Sequence, residues 1–341
     1  MHRNFPTPEK YLVETMGGGA ALLDMDGDGD LDLYLIQGAP PPRDPSPRPP
    51  NRLFRNEGGL RFRDVTGESG AAGSGYGQGC AVGDADGDGD PDLFLANEGP
   101  DLFLRNLGGR FEDRTGPSGL GDRGWSTSAT FLDADLDGDL DLYVVRYVKV
   151  EYATHPRCLR AGRPVYCHPD TFEGLEDLFY RNEGDGTFVE RGREAGVALG
   201  GPTDGKGLGV VAGDFDEDGL PDLFVANDST PNFLYRGRGD WIYEDVALVA
   251  GVAYSAAGRA QAGMGTDAAD FDGDGRLDLV VTNLNQETNT MSRNLGGGIF
   301  EDVTETSGLA AVSLPWVGFG AGFFDADDDG ALDLLFLNGH V

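Results

Sequence analysis

Residues 22–36 read LLDMDGDGDLDLYLI, and the nine residues from Asp24 to Asp32 set a pattern that returns five more times, beginning at Asp84, Asp133, Asp214, Asp270 and Asp325. Positions 1, 3, 5 and 9 are Asp in every copy: Asp24, Asp26, Asp28 and Asp32; Asp84, Asp86, Asp88 and Asp92; Asp133, Asp135, Asp137 and Asp141; Asp214, Asp216, Asp218 and Asp222; Asp270, Asp272, Asp274 and Asp278; Asp325, Asp327, Asp329 and Asp333. Position 6 is always Gly, whereas position 7 is Asp30, Asp90, Asp139, Leu220, Arg276 or Ala331. A position that accepts Asp, Leu, Arg and Ala contributes its backbone carbonyl.

Carboxylates at 1, 3, 5 and 9 with a carbonyl at 7 can wrap one hard cation, and the glycine permits the sharp turn. Calcium is the expected ion, about six in all, because magnesium demands stricter octahedral geometry and keeps its waters. These are not EF-hand loops. The bidentate Glu that closes those at position 12 is here Leu35, Leu95, Val144, Val225, Val281 or Phe336. Positions 8, 10 and 12 are apolar throughout, a period of two that predicts a half-buried β-strand leaving each loop.

The 341 residues carry a net charge of −33, with 55 Gly and 39% hydrophobic residues, which points to many short strands and turns. The acidity argues against nucleic acid or an anionic membrane as partner, and no apolar run is long enough for a membrane helix. Of three cysteines, Cys158 and Cys167 are expected to pair, leaving Cys80 as a small buried residue. A zinc or copper site on His155, Cys158, Cys167 and His168 is the other reading of that cluster. The disulfide would favour a secreted or periplasmic location. The opening MHRNFPTPEK has no signal-peptide core, so an export signal is absent or lies outside these residues.

The loops start 60, 49, 81, 56 and 55 residues apart, a spacing that fits repeated units of four short strands, the blades of a β-propeller. Each unit runs from a Gly-rich strand through the loop into a second strand, then a third such as NRLFRNEGG and a fourth such as RFRDVTGESG. The pattern gives five complete units and half of a sixth in one domain over 1–341, to be closed by a partner or further domain. The Gly-rich stretches near Gly17, Gly77, Gly207 and Gly265 read as crowded inner strands rather than phosphate loops. Two inserts break the period. The Pro-rich one at 38–51 reads as a stiff, exposed loop; the one at 147–176 brings Tyr152, His155, Arg157, Arg160, Arg163, Tyr166 and His168 into an otherwise acidic chain, as a candidate ligand loop. Arg238-Gly239-Asp240 and Asn227-Asp228-Ser229 read as turns ahead of an adhesion or glycosylation motif.

The six loops, YLVETMGGGAALLDMDGDGDLDL, CLRAGRPVYCHP followed by LFYRNEGDGTF, VANDSTPNFLYR, QAGMGTDAADFDGDG and FLNGHV together resemble the FG-GAP/VCBS calcium-loop repeats of the ASPIC/UnbV and cartilage-acidic-protein group. The resemblance implies a secreted or periplasmic calcium-binding β-propeller, seven-bladed in full-length members, with a C-terminal domain that is not in this sequence. No catalytic motif stands out. The expected role is a scaffold for a protein or carbohydrate ligand; the alternative is an enzyme, or an enzyme partner in secondary-metabolite biosynthesis, using the 147–176 insert and the central channel.

Overall fold

The computed structural model describes residues 5–41, 44, 46–197 and 205–339. Five four-stranded antiparallel sheets follow one another, and a two-stranded sheet comes last. Their first strands are Ala20–Leu23, Tyr76–Gly83, Ser126–Leu132, Gly207–Gly213, Thr266–Ala269 and Val317–Phe324. These lie side by side in chain order. Their glycines permit the approach: a methyl on Gly79 would stand 2.4 Å from the Thr127 carbonyl, and one on Gly209 2.4 Å from that of Met264. Thr127 lies in the third unit's first strand and Met264 two residues before the fifth's; of the Gly-rich stretches, those at Gly77 and Gly207 fall in first strands, whereas Gly17 and Gly265 lie just before theirs.

Each acidic loop joins a first strand to a second. Buried and half-buried residues alternate in Asp32–Leu35 of the first unit, but in units two to five the second strands are buried on both faces rather than one. Period-two alternation explains this. In Asp92–Glu98, Leu93 and Leu95 face the slab shared with the first unit, while Phe94 and Ala96 face the slab shared with the third. Asp222–Asn227 repeats the arrangement, with Leu223 and Val225 on one side and Phe224 and Ala226 on the other. The core is therefore a row of apolar slabs between consecutive sheets. On the last strand, Asp333–Gly339, Leu335 and Leu337 are exposed.

The fourth segments hold more than strands. In the first four units a three-residue strand is followed by one helical turn, such as Thr66–Ser69 or Ala247–Ala250, which Gly70, Gly119, Gly196 and Gly251 end in the left-handed conformation; in the fifth the helix, Leu309–Ser313, comes later. Cys80 is half-buried, not buried, because it packs at the edge of the first slab; burial still pushes its thiol up to about 12. The Pro-rich insert also departs from expectation. Gly38 to Pro41 are buried and only Ser46 to Arg48 are exposed, with residues 42, 43 and 45 outside the described set.

The buried half of that insert belongs to a separate apolar cluster. Tyr11, Leu12, Val13 and Met16 from the N-terminal segment, Ala39, and Tyr147 and Val148 from the long insert pack together over Tyr76 and Trp125, at the entry to the second and third units. Three segments outside the repeat thus form one cap.

Candidate metal centres and a capped cavity

In five loops three carboxylates bring oxygen atoms within 4.8 Å of one another: Asp24, Asp26 and Asp32; Asp84, Asp86 and Asp92; Asp133, Asp135 and Asp141; Asp214, Asp216 and Asp218; Asp270, Asp272 and Asp278. The backbone sets this geometry. In the first loop Asp24 accepts from the Asp28 and Gly29 amides at 3.1 and 2.9 Å, and Asp28 accepts from Asp30 at 3.0 Å. The same bonds recur in the sixth loop on Asp325 and Asp329.

The position-9 carboxylate ties the loop to the sheet. Asp32, buried, accepts from the Met25 amide at 2.9 Å and, across the sheet, from the Asn56 amide at 2.7 Å. Burial pushes the equivalent Asp92, Asp141 and Asp222 carboxyls up to about 7 and raises that of Asp278. A group held neutral by burial is one that a nearby positive charge would ionise. Position 3 tests the fit to a cation. Oδ1 of Asp26, Asp86 and Asp135 is buried and takes no hydrogen bond, which is costly unless something positive meets it. The residues therefore fit a hard cation. The sixth loop differs, because its Asp333 is exposed.

Sequence reading missed the arginine that faces each of the first four loops. Arg55, Arg105, Arg181 and Arg236 leave the third strands and pair with position 3 at Asp26, Asp86, Asp135 and Asp216, at 3.1, 2.5, 3.1 and 2.7 Å. The signal was the Arg-Asn dipeptide in FRNEGG, FLRNLGG and FYRNEGD. In the fifth unit Arg293 turns to Glu301 instead, and Arg276 at position 7 folds its guanidinium onto Asp274. Position 7 of that loop thus carries a competing cation on its own side chain.

The cysteine cluster resolves as a disulfide, Cys158–Cys167, with Cα atoms 5.2 Å apart, which leaves no thiolate there for zinc or copper. It closes a hairpin of Cys158–Arg160 and Arg163–Val165. Of the candidate ligand loop, Tyr152, His155 and Arg157 line a cavity of about 570 Å³ together with Glu9 and Tyr11 of the N-terminal segment and Pro41 and Asp44 of the Pro-rich insert. Tyr11 meets Tyr152 and His155 edge-on, both at 5.0 Å. The His155 Nδ1 lies 2.9 Å from the Pro156 carbonyl, so it carries the proton, and Nε2 is a buried acceptor without a partner. Burial lowers its pKa and keeps the ring neutral.

Tyr166 is tied down rather than free for a ligand: its hydroxyl donates to buried Glu14 at 3.1 Å, and the Lys10 ammonium sits over its ring. Arg160, Arg163 and His168 do not line the cavity. The exposed His168 caps the short helix Pro169–Thr171, accepting from the Asp170 amide. Arg238 of the Arg-Gly-Asp turn pairs with Glu244 at 2.5 Å. Buried Asn227 donates to the Pro231 carbonyl at 2.8 Å, a turn contact that leaves no exposed amide for a glycan. Among the described residues no helix is long and apolar enough to cross a membrane.

A family model described as FG-GAP-like repeat matches residues 24–95, 84–144, 176–225, 214–281 and 270–336. The matches pass over 1–23 and 145–175, which contribute most of the cap. No curated protein matches. Among solved structures, one describing specific recognition of non-reducing terminal N-acetylglucosamine by an Agrocybe aegerita lectin aligns at 16% identity and TM-score 0.49, over 93% of this chain and 74% of that one. The V. cholerae biofilm matrix protein Bap1 aligns at 14% identity and TM-score 0.40, over 81% of this chain and 37% of that one. Rhamnogalacturonan lyase YesW aligns at 16% identity and TM-score 0.41, over 94% and 55%. These likenesses assign no ligand to this chain.

Proposed function

The chain belongs to the FG-GAP-like repeat family, and from that premise we propose that it is a secreted or periplasmic, calcium-stabilised β-propeller serving as a scaffold for a protein or carbohydrate ligand. The ordered motifs quoted above support a place in the ASPIC/UnbV group. Calcium is held by the carboxylates at positions 1, 3, 5 and 9 and the carbonyl at position 7. It meets the buried position-3 Oδ1 atoms that the arginines on Oδ2 leave unpaired and lets the position-9 carboxyls ionise. Affinities of roughly 10⁻⁴ to 10⁻³ M, those of extracellular modules, would fill such sites outside a cell and leave them empty in a cytosol. The Cys158–Cys167 disulfide fits the same compartment.

One observation carries the binding role: the N-terminal segment, the Pro-rich insert and the long insert all converge on one cavity. Two tyrosine faces, a neutral histidine acceptor, the carboxylates of Glu9 and Asp44 and the Arg157 guanidinium offer both stacking and hydrogen bonding. His155 lies in this cavity without His168, so the two histidines do not form a joint acid–base pair.

The test is the full chain in millimolar calcium applied to printed saccharide and peptide arrays, beside Tyr152→Ala and Arg157→Ala. A ligand lost by both variants at unchanged melting temperature supports the site. A ligand retained by both moves the site elsewhere on the molecule.

A further inference from the structure

Two residues before the aromatic that opens each fourth strand, the turn places one residue in the left-handed region: Gly109, Gly186, Trp241 and Gly298 in units two to five, with φ of 90°, 75°, 62° and 70°. Three of the four seat on the acidic loop of the preceding unit at the same point. A methyl on Gly109 would stand 3.2 Å from Asp26 Cβ, on Gly186 3.6 Å from Asp86 Cβ, and on Gly298 3.1 Å from Asp216 Cβ. Position 3 of one loop is thus the seat of the next unit's turn. Leu60, the counterpart in the first unit, has no loop before it and is 81% exposed.

Unit four breaks the rule with a tryptophan. A bulky residue at positive φ is an outlier that the surroundings must hold in place, and such outliers gather at functional positions. Here the indole Nε1–H donates to Asp135 Oδ2 at 2.7 Å, and the ring lies 4.5 Å from that of Phe179.

The same unit lacks another inter-unit bond. Asn106, Asn182 and Asn294 donate their side-chain amides to the position-2 carbonyls of the preceding loops, Met25, Ala85 and Phe215, at 2.9, 2.7 and 2.8 Å. Gly237 stands at that place in unit four. Where the other junctions hold the loop by its backbone, this one holds it by a carboxylate that the cation would use.

We infer that Trp241 is a positioning residue for the cation of the third loop and makes the junction of units three and four respond to it. The inference rests on the cation reading above. With Asp135 Oδ2 occupied by the indole and by Arg181 at 3.1 Å, only the buried Oδ1 is left to coordinate. Position 3 of this site is then monodentate and fixed in orientation, as outer partners fix metal ligands elsewhere. By reciprocity, whatever Trp241 does for the cation, the cation does for the seating of Trp241.

The experiment titrates calcium chloride into EDTA-treated full chain and reads tryptophan emission together with calorimetric site affinities. Filling the third loop should change the emission. Trp241→Phe, which keeps Trp125 and Trp316, should abolish that change and weaken one site by about 10- to 100-fold while the others hold. Trp241→Gly restores the residue found in units two, three and five; the same two losses at an undiminished melting temperature exclude misfolding as their cause. An emission change that survives Trp241→Phe, or site affinities identical to the parent chain in both variants, overturns the inference and leaves the cation reading intact. A parent chain that takes up no calcium overturns the cation reading itself.

Discussion

Phe94 and Phe103 of the second unit lie in the slab formed with the very next sheet, whereas Tyr11 of the cap finds Tyr152 and His155 in a loop two units further along the chain. Both regions bury aromatic rings, but only one follows a neighbour rule. In the sheets the partner of any residue is known once its place in the unit is known. In the cap each contact is particular, and what fixes it is a disulfide and a buried carboxylate, Glu14, bonded to Thr7 and Tyr166. If the loops hold a cation, the sheets depend on it for charge neutralisation, whereas the contacts that fix the cap include none of these loops.

The largest expected effect follows from that dependence. If the loops hold calcium, each filled site adds about 3 kcal/mol when the free ion is a hundredfold above its dissociation constant. Excess EDTA should lower the melting temperature on the order of ten degrees or more, millimolar calcium should restore it, and magnesium should not. An unchanged midpoint in EDTA would remove calcium from the account of the sheets.

Next in size is a strike at the neighbour rule itself. Gly79→Ala drives a methyl into the Thr127 carbonyl and should cost roughly 1–3 kcal/mol by overpacking. Gly322, also on a first strand but with open space around it, should accept Ala within about 0.5 kcal/mol. Equal denaturation midpoints for the two variants would mean that the inner strands are not crowded.

A smaller effect uses the repeat as its own control. In the five four-stranded sheets an amide at or near the end of the second strand is capped by a side-chain oxygen from the residue before the third strand: Asn51, Asp101, Asp177, Asn232 and Asn289. Asp177 also accepts from the Tyr143 hydroxyl at 2.8 Å, and burial raises its carboxyl to about 6. Because the folded value lies above the ordinary 3.8, its contribution is complete below pH 4 and is lost as pH rises to about 6. Asp177→Asn, which copies Asn51 beside Tyr34, should therefore match the parent chain near pH 4 and exceed it by up to about 3 kcal/mol at pH 7. Urea melts at the two pH values decide it; an advantage largest at pH 4 would reverse the sign of the argument.

The smallest effect on the sheets should come from the cap. Cys158→Ser with Cys167→Ser should leave the main unfolding transition within about a degree, since the disulfide closes only a local hairpin, while weakening any ligand held by Tyr152 and Arg157. A large fall in the main transition would show the cap to be part of the sheets' stability.

The repeat was legible because its residues answer to fixed geometry. Asp24 to Asp32 and Leu33 to Leu35 announce a loop and a strand by spacing alone, and Gly79 announces a close approach. Burial on both faces was not legible, since Leu93 and Phe94 look alike until both neighbouring sheets are in place. The helical turns after the fourth strands were too short for any periodicity to register. The cap escaped for a different reason: nothing in FPTPEKYLVET says that Glu14 will meet Tyr166, because that contact has no second example in the chain. Trp241 was visible as a letter, but its meaning needed the alignment with Gly109, Gly186 and Gly298 that only the turns' conformations supply.

The seat that each loop offers to the following turn also gives the array a direction in time. Gly109 rests on Asp26, Gly186 on Asp86 and Gly298 on Asp216, so each later unit docks on a surface completed by an earlier one. A chain emerging from a ribosome would meet these surfaces in the order in which it needs them. Each finished sheet would act as a template for the next, and the cap, whose long insert waits until the third unit has been made, would be set in place part-way through synthesis.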